Sequence, residues 1–263
     1  IKNDGSFPIN SIKECLAHTN IKIHEVDYIC VYWNPYVFSS RIFESIKKVI
    51  FRPLKIFFLF KRINNLFFSK KKNNFYPEFN GNWTDLFFIK KIIKKNLGKF
   101  EGKVKYFDHH LTHQNYCKFI DYDKDTINLS YDGGGEKYST VLSVDINKKS
   151  KDIIKIKWPN SLGHFYSYFT GYLGFKMLEG EYKMMGLSPY GKPIYLKTIL
   201  KKILKINDDG TYNFNHYLCD YHAALNGKFS KRVEKLLCKR RKSNEDPSIE
   251  HINLAASVQK AFE

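Results

Sequence analysis

Arginine is scarce in this chain: 44 residues are basic, and only Arg41, Arg52, Arg62, Arg232, Arg240 and Arg241 are Arg. Arg is the residue that grips phosphates and base edges with a rigid fork, so its scarcity weakens a nucleic-acid reading of the net charge of +18. The excess is lysine, scattered among Asn, Ile and Phe, which is an overall compositional bias and not a patch; no nucleic-acid partner is expected. The five cysteines (Cys15, Cys30, Cys117, Cys219, Cys238) are odd in number and lack any CxxC pair. That argues against a cysteine zinc site and a disulfide framework, and fits a reducing, cytoplasmic setting. No signal peptide is expected at the start, and no apolar run in the sequence is long enough to span a bilayer. The nearest approach, 49–68, is broken by Arg52, Pro53, Lys55, Lys61 and Arg62. It can lie on a membrane as a basic amphipathic helix or, as such segments more often do, pack on its own domain. There is no internal repeat, and low complexity is confined to Lys70-Lys71-Lys72. A chain that opens on Ile1-Lys2 and stops at Phe262-Glu263 inside an apparent helix is expected to be a fragment.

Apolar material is ample: 43% of residues are hydrophobic and 16% aromatic, enough for a packed interior. The spacing predicts a helix over 8–18, a short buried strand over 26–32 ended by Asn34-Pro35, a basic helical stretch over 41–72, a polar loop over 70–79 and a helix over 86–97 stopped by Gly98. From Val104 strands appear. They are expected at 103–107, 126–131, 138–146 and 153–158, with a helix over 113–119 between the first two. After Pro159 come a helix over 161–173, a glycine-rich segment to Gly191, a helix over 194–206, a short strand over 212–214 and a closing helix over 249–263. Strands with glycine-rich turns interleaved with helices indicate an α/β class.

Three constellations can carry chemistry. His109 and His113 stand at i and i+4 after a strand; on a helix both imidazoles face the same way and can share a metal ion. His110 replaces His109 in that pair if the helix begins later, and ordinary surface or capping histidines are the bland alternative. Asp132-Gly133-Gly134-Gly135-Glu136 follows the strand TINLSY. An acidic residue and three glycines at a strand end form a turn whose amides can approach phosphate, with Asp132 able to ligate a metal. A plain hairpin turn competes, although three glycines exceed its needs and Ser139-Thr140 add hydroxyls just downstream. The third runs from Gly171 to Gly191. Five glycines there separate Glu179, Glu181, Lys176 and Lys183, in a stretch too apolar for a solvated linker. Glu179 and Glu181 are candidates for ribose hydroxyls, metal-bound water or a substrate ammonium, Lys183 for phosphate, and Gly180 and Gly186 for positive φ or close backbone approach. A structural helix–loop–helix is an equal competitor.

The order of these motifs resembles the N-terminal domain of the ATP-dependent O-carbamoyltransferases, the family that makes carbamoylated nodulation factors, antibiotics and polysaccharides. The residues that carry the resemblance are Lys2-Asn3-Asp4-Gly5-Ser6-Phe7-Pro8 with Cys15-Leu16, then His109-His110-Leu111-Thr112-His113, then Asp132 to Glu136. Ser161 to Ser167, Leu173 to Lys176, Glu179 to Gly191 and Asn253 to Gln259 complete it. The resemblance implies an actin-like ATPase fold with two half-domains, roughly 1–125 and 126–263. It implies a metal, iron in the relatives, held by His109, His113 and Asp132, with a further aspartate beyond Glu263. A nucleotide site is implied around Gly133, Gly134, Gly135, Glu136, Glu179, Gly180, Glu181, Lys183 and Gly186. The implied chemistry has two stages. Carbamoyl phosphate and ATP, with Mg2+, give carbamoyl adenylate in a separate C-terminal domain absent from this chain. The carbamoyl group then passes to a hydroxyl of a small-molecule or saccharide acceptor in the domain present here. His110 is the nearest candidate for the base.

Gln114-Asn115-Tyr116 depart from the small residues usual after the last metal histidine, which is expected to alter packing and leave the metal. A threonylcarbamoyl transferase acting on tRNA shares the implied fold, but the Glu-Gly-Glu-Tyr-Lys run belongs to the small-molecule branch. A basic binding protein without catalysis, on membrane or nucleic acid, is the alternative from another class.

Overall fold

A computed structural model of the protein describes residues 7–37, 83–120, 124–225 and 227–263. The helical stretch expected over 41–72, with its amphipathic portion 49–68, and the loop over 70–79 lie outside the described residues, as does Lys2 to Ser6. The architecture is mixed α/β with three small sheets among the described residues. The chain divides into two units: the first holds described residues 7–37, 83–120 and 135–137, the second 124–134 and 138 onward.

The first unit is built on a parallel pair, β1 (Tyr28–Val31) and β2 (Lys103–Tyr106), with Tyr28 opposite Lys103 and Val31 opposite Tyr106. A parallel pair needs a crossover between its strands. Within it lies α2 (Ile89–Leu97), preceded by a 3-10 turn over Trp83–Phe87. Ile89 and Ile93, one helical turn apart, are buried with Ile23 and Phe100, and Leu97 and Val104 pack against them. That spacing is the apolar stripe that drives an amphipathic helix onto its sheet. The opening helix α1 (Ile9–Thr19) ends at Asn20 in the left-handed conformation, and Leu16 joins the same core. β2 leads directly into α3 (His109–Ile120), which therefore begins four residues earlier than the expected His113.

In the second unit, β3 (Thr126–Tyr131), β4 (Tyr138–Ile146) and β5 (Lys149–Lys157) form an antiparallel sheet in that order. Asn147 and Lys148, both at positive φ, join β4 to β5 in a two-residue loop, the conformation that matches strand twist. β3 is not buried on its apolar side. Ile127 and Leu129 are exposed, whereas Asn128 and Ser130 face inward. The inward amide is satisfied across the sheet, Asn128 Nδ2 donating to Asp145 Oδ2 at 2.5 Å.

The core of this unit centres on α4 (Leu162–Tyr172), whose residues from Phe165 to Tyr172 are all buried. A helix apolar on every side belongs in an interior. Phe165 stacks on Phe214 at 5.3 Å and meets Phe169 edge-on at 5.1 Å, while Tyr168 and Tyr172 flank Phe229. Its tyrosine hydroxyls are all engaged: Tyr166 donates to Gln259 Oε1, Tyr168 to the Leu218 carbonyl and Tyr172 to the Cys238 carbonyl. The glycine-rich segment expected to be loop contains α5 (Glu181–Leu187), with Met184 buried beneath it. The single helix expected over 194–206 is instead α6 (Leu196–Lys202) followed by β6 (Leu204–Ile206), which pairs with β7 (Tyr212–Phe214). Two short helices, α7 (Tyr221–Ala224) and α8 (Lys231–Leu236), precede α9 (Ile249–Phe262). The last buries Leu254, Ala255, Val258 and Ala261 in the same core.

Candidate metal centre

The first unit presents the imidazole pair. Asp108, at the end of β2, caps α3: its Oδ1 accepts the N–H of His110 at 3.0 Å and of Leu111 at 3.3 Å. The cap fixes the start of the helix at His109, and this places His109 and His113 one turn apart on a single face. Their Nε2 atoms are 3.2 Å apart, with the rings nearly perpendicular at 88°. At that distance one neutral imidazole donates its Nε2–H to the other, or both lone pairs meet one cation. Neighbouring nitrogen ligands at metal bond lengths of about 2.1 Å stand at such a separation, so the donor set fits a transition metal.

Several groups fix His109. Trp33 stacks on its ring with centroids 4.9 Å apart and 28° between planes. Its backbone N–H donates to Glu136 Oε2 at 3.1 Å, and Glu136 Oε1 accepts the Asn34 N–H at 2.6 Å. A Cβ on Gly135 would stand 2.8 Å from His110 Cδ2 and 3.3 Å from His109 Cβ, so this glycine is required by close approach. His110, the expected base, is 2% exposed with its ring against that glycine. Glu136, expected beside the nucleotide, is 1% exposed with both oxygens accepting backbone N–H groups of the first unit.

The second unit holds Asp132, Gly133 and Gly134 at the end of β3. The Asp132 N–H donates to the Ser139 carbonyl at 2.9 Å, and Asp132 Oδ1 accepts the Gly133 N–H. Ser161 carries no role of its own in the sequence pattern beyond its place in a motif. In the structure its hydroxyl oxygen caps α4 by accepting the His164 N–H at 3.0 Å, and its hydroxyl donates to the Asp132 carbonyl at 3.0 Å. A Cβ on Gly163 would lie 2.8 Å from the Gly133 nitrogen, so the first turn of α4 is packed directly against the glycine turn. Amides at a helix N-terminus beside a glycine turn form a concavity suited to an anion. His164 lines it too: its ring stacks on Tyr221 at 3.7 Å and lies 3.6 Å from where a Gly133 Cβ would be. The Ser-x-x-His spacing at the start of a predicted helix is the sequence signal for both residues.

Among the residues of 173–191, Glu181 Oε1 accepts the Leu178 N–H at 2.7 Å and the Ser167 hydroxyl at 2.5 Å. Leu178 sits at φ 65, a costly conformation for a branched side chain, and that carboxylate pins it. Glu179 pairs with Lys176 at 2.8 Å, and Lys183 places its ammonium 5.9 Å from the Tyr182 ring. Gly180 satisfies the expectation of close approach, since a Cβ there would stand 2.9 Å from the Lys176 carbonyl. Gly186 does not: it lies in α5 with open space around it.

The family described as Carbamoyltransferase N-terminus matches residues 1–263. The chain is 31% identical, over 98% of its length, to the uncharacterized protein sll1178 of Synechocystis sp., of which the match covers 40%. It is 24% identical over its whole length to nodulation protein NolNO of Sinorhizobium fredii, covering 33% of that protein. A shorter match, 39% identical over 38% of the chain, reaches 19% of the uncharacterized protein MJ1051 of Methanocaldococcus jannaschii. The chain thus spans well under half the length of these curated relatives. It belongs to the carbamoyltransferase N-terminal family.

Proposed function

We propose that this chain is the carbamoyl-transferring part of an ATP-dependent O-carbamoyltransferase with an actin-like ATPase fold, acting on a hydroxyl of a small-molecule or saccharide acceptor. The observation that carries the reading is the imidazole pair of α3, 3.2 Å apart, in a chain whose whole length matches this family. His109 and His113 hold a divalent metal, iron by resemblance to the family, and the motif order supplies Asp132 as its carboxylate ligand. That ion supplies positive charge against the phosphate of a bound nucleotide.

The remaining roles fall to groups of the second unit. The Leu162 and Gly163 amides in the first turn of α4 donate to phosphate oxygens, and Ser161 keeps helix and turn in register. Lys183 adds a positive charge. Gly180, Glu179 and Glu181 shape the nucleotide-facing wall, Glu181 by holding Leu178. In the transfer, the acceptor oxygen bonds to the carbamoyl carbon of carbamoyl adenylate, the bond from that carbon to the phosphate oxygen breaks, and AMP leaves with the electron pair. The hydroxyl proton passes to a general base, for which His110 is the sequence candidate, or to solvent.

The test is metal analysis of the purified protein and of His109→Ala, His113→Ala and Asp132→Ala. Each variant is expected to lose the bound ion and to weaken AMP binding; wild-type metal and AMP content in all three would overturn the assignment. Carbamoyl phosphate with ATP should give pyrophosphate release in the protein carrying its adenylate-forming domain, and no release there would remove the carbamoyl-transfer reading.

A further inference from the structure

The first turn of a helix leaves amide donors that the helix itself cannot satisfy, and each needs a partner when buried. In α3 the amides of His110 and Leu111 go to Asp108, the cap immediately before them. The amide of His109 goes instead to a residue 27 positions away, the carboxylate of Glu136. The other oxygen of that carboxylate takes the N–H of Asn34. Asn34 directly follows Trp33, whose indole stacks on the His109 imidazole.

We propose that Glu136 is the positioning residue of the His109–His113 pair. One carboxylate fixes the backbone that carries the imidazole and, through Asn34, the loop that packs on the imidazole face. This rests on the metal reading above. Glu136 is 1% exposed, and a buried carboxylate is tolerable only when charge-assisted hydrogen bonds and a helix N-terminus offset its desolvation. Both are present here. The chemistry requires a carboxylate and not its amide, because two separate N–H donors need two acceptor oxygens. Glutamine has one, and would turn its NH2 toward the second donor. Aspartate is shorter by one methylene and cannot span both donors without shifting one of them. Gly135 completes the fit, since any side chain there would push the carboxylate away from the histidines. Glu136 touches neither substrate nor metal in this role.

Cobalt(II), whose visible bands report ligand geometry, is the probe, titrated into the wild-type protein and into Glu136→Gln, Glu136→Asp, Asp108→Ala and His113→Ala. Loss of a group that orients a metal-ligating histidine weakens binding about 10- to 100-fold. Glu136→Gln is expected to fall in that range with altered band positions, while the wild-type bands persist at higher affinity in Asp108→Ala, which loosens the same helix end without releasing the Trp33 loop. Equal weakening in Asp108→Ala and Glu136→Gln would reduce Glu136 to ordinary capping and overturn the proposal. Wild-type affinity and spectrum in Glu136→Gln would overturn it outright. Amide hydrogen exchange of the wild-type protein tests the same claim even where a variant does not fold. The Asn34 and His109 amides must exchange slowly, and exchange at the rate of exposed amides sinks the proposal. Undiminished cobalt binding in His113→Ala would instead remove the metal reading, and the exchange rates would still decide whether Glu136 holds both amides.

Discussion

The two units hold their candidate site residues by different physics. In the first, the core among the described residues is small: Ile23, Ile89, Ile93 and Phe100, with flanking aliphatics. The histidines lie at the start of a helix and owe their placement to carboxylates, Asp108 and Glu136, and to the stacked Trp33. In the second, the Asp132 turn rests on α4, which is buried along most of its length in an extensive aromatic core. A polar clamp is sensitive to the chemistry of one or two atoms, whereas a core-supported turn is sensitive to volume.

That contrast can be broken most forcefully from the core side. Phe169 is 0% exposed at the centre of the α4 cluster, and Phe169→Ala is expected to destabilise the second unit by about 3–5 kcal/mol through lost burial and the cavity left behind. Ile93→Ala, also at 0% exposure, removes less volume and is expected to cost about 2–4 kcal/mol, confined to the first unit. Denaturant unfolding followed by tyrosine and tryptophan signals checks both. Equal losses would mean that the two cores are equivalent and that the contrast is one of size alone.

Much of this is legible in the sequence where local signals agree. β3, β4 and β7 stand at their expected residues, and α1, α4 and α9 are within one residue of expectation at their ends. The i, i+4 histidines are visible, but not the start of their helix, because the Asp108 cap offers only a single short side chain as a signal. α5 is hidden because Gly180 and Gly186 depress helix propensity, while its stability comes from Met184 in the core and from Glu181 near its start. The 194–206 segment is lysine- and isoleucine-rich throughout, so nothing local marks where helix gives way to β6; pairing with β7 decides it. Glu136 reads as nucleotide-facing in sequence because its partners are remote, Asn34 lying 102 positions away. No spacing rule reaches that far.

A smaller effect separates the units by degree at high pH, since burial raises Tyr106 in the first unit and, more strongly, Tyr166 in the second. Tyr166 on α4 is pushed up to about 12 from its ordinary 10.0 by burial, then by the Glu181 and Glu263 charges. Burial also raises Tyr168 and Tyr172. A phenol favoured as the neutral acid in the folded state stabilises fully below the unfolded value, and that contribution is lost as pH rises from about 10 to about 12. The second unit is therefore expected to lose stability across that window, and Tyr166→Phe should flatten the decline in unfolding midpoints measured from about pH 9 to about pH 12. An unchanged slope in the variant would assign the alkaline sensitivity to the other tyrosines.

The finest test touches the point where the second unit's core meets its candidate chemistry. Ser161 makes two hydrogen bonds with one hydroxyl, capping α4 and tethering the Asp132 carbonyl. Removing a serine cap costs about 1 kcal/mol, and the large core beneath α4 should confine the damage to that. If core support is what sets the turn, Ser161→Ala lowers stability by this amount and leaves AMP affinity within about two-fold, since about 0.4 kcal/mol separates such affinities. If instead the hydroxyl sets the register between the helix amides and Gly133, AMP affinity falls further than stability does, and Ser161→Thr, which keeps the hydroxyl, restores it. The second outcome would give the second unit a polar clamp of its own and erase the contrast with Glu136. Nucleotide titration of the folded variants, read against their unfolding curves, decides between them.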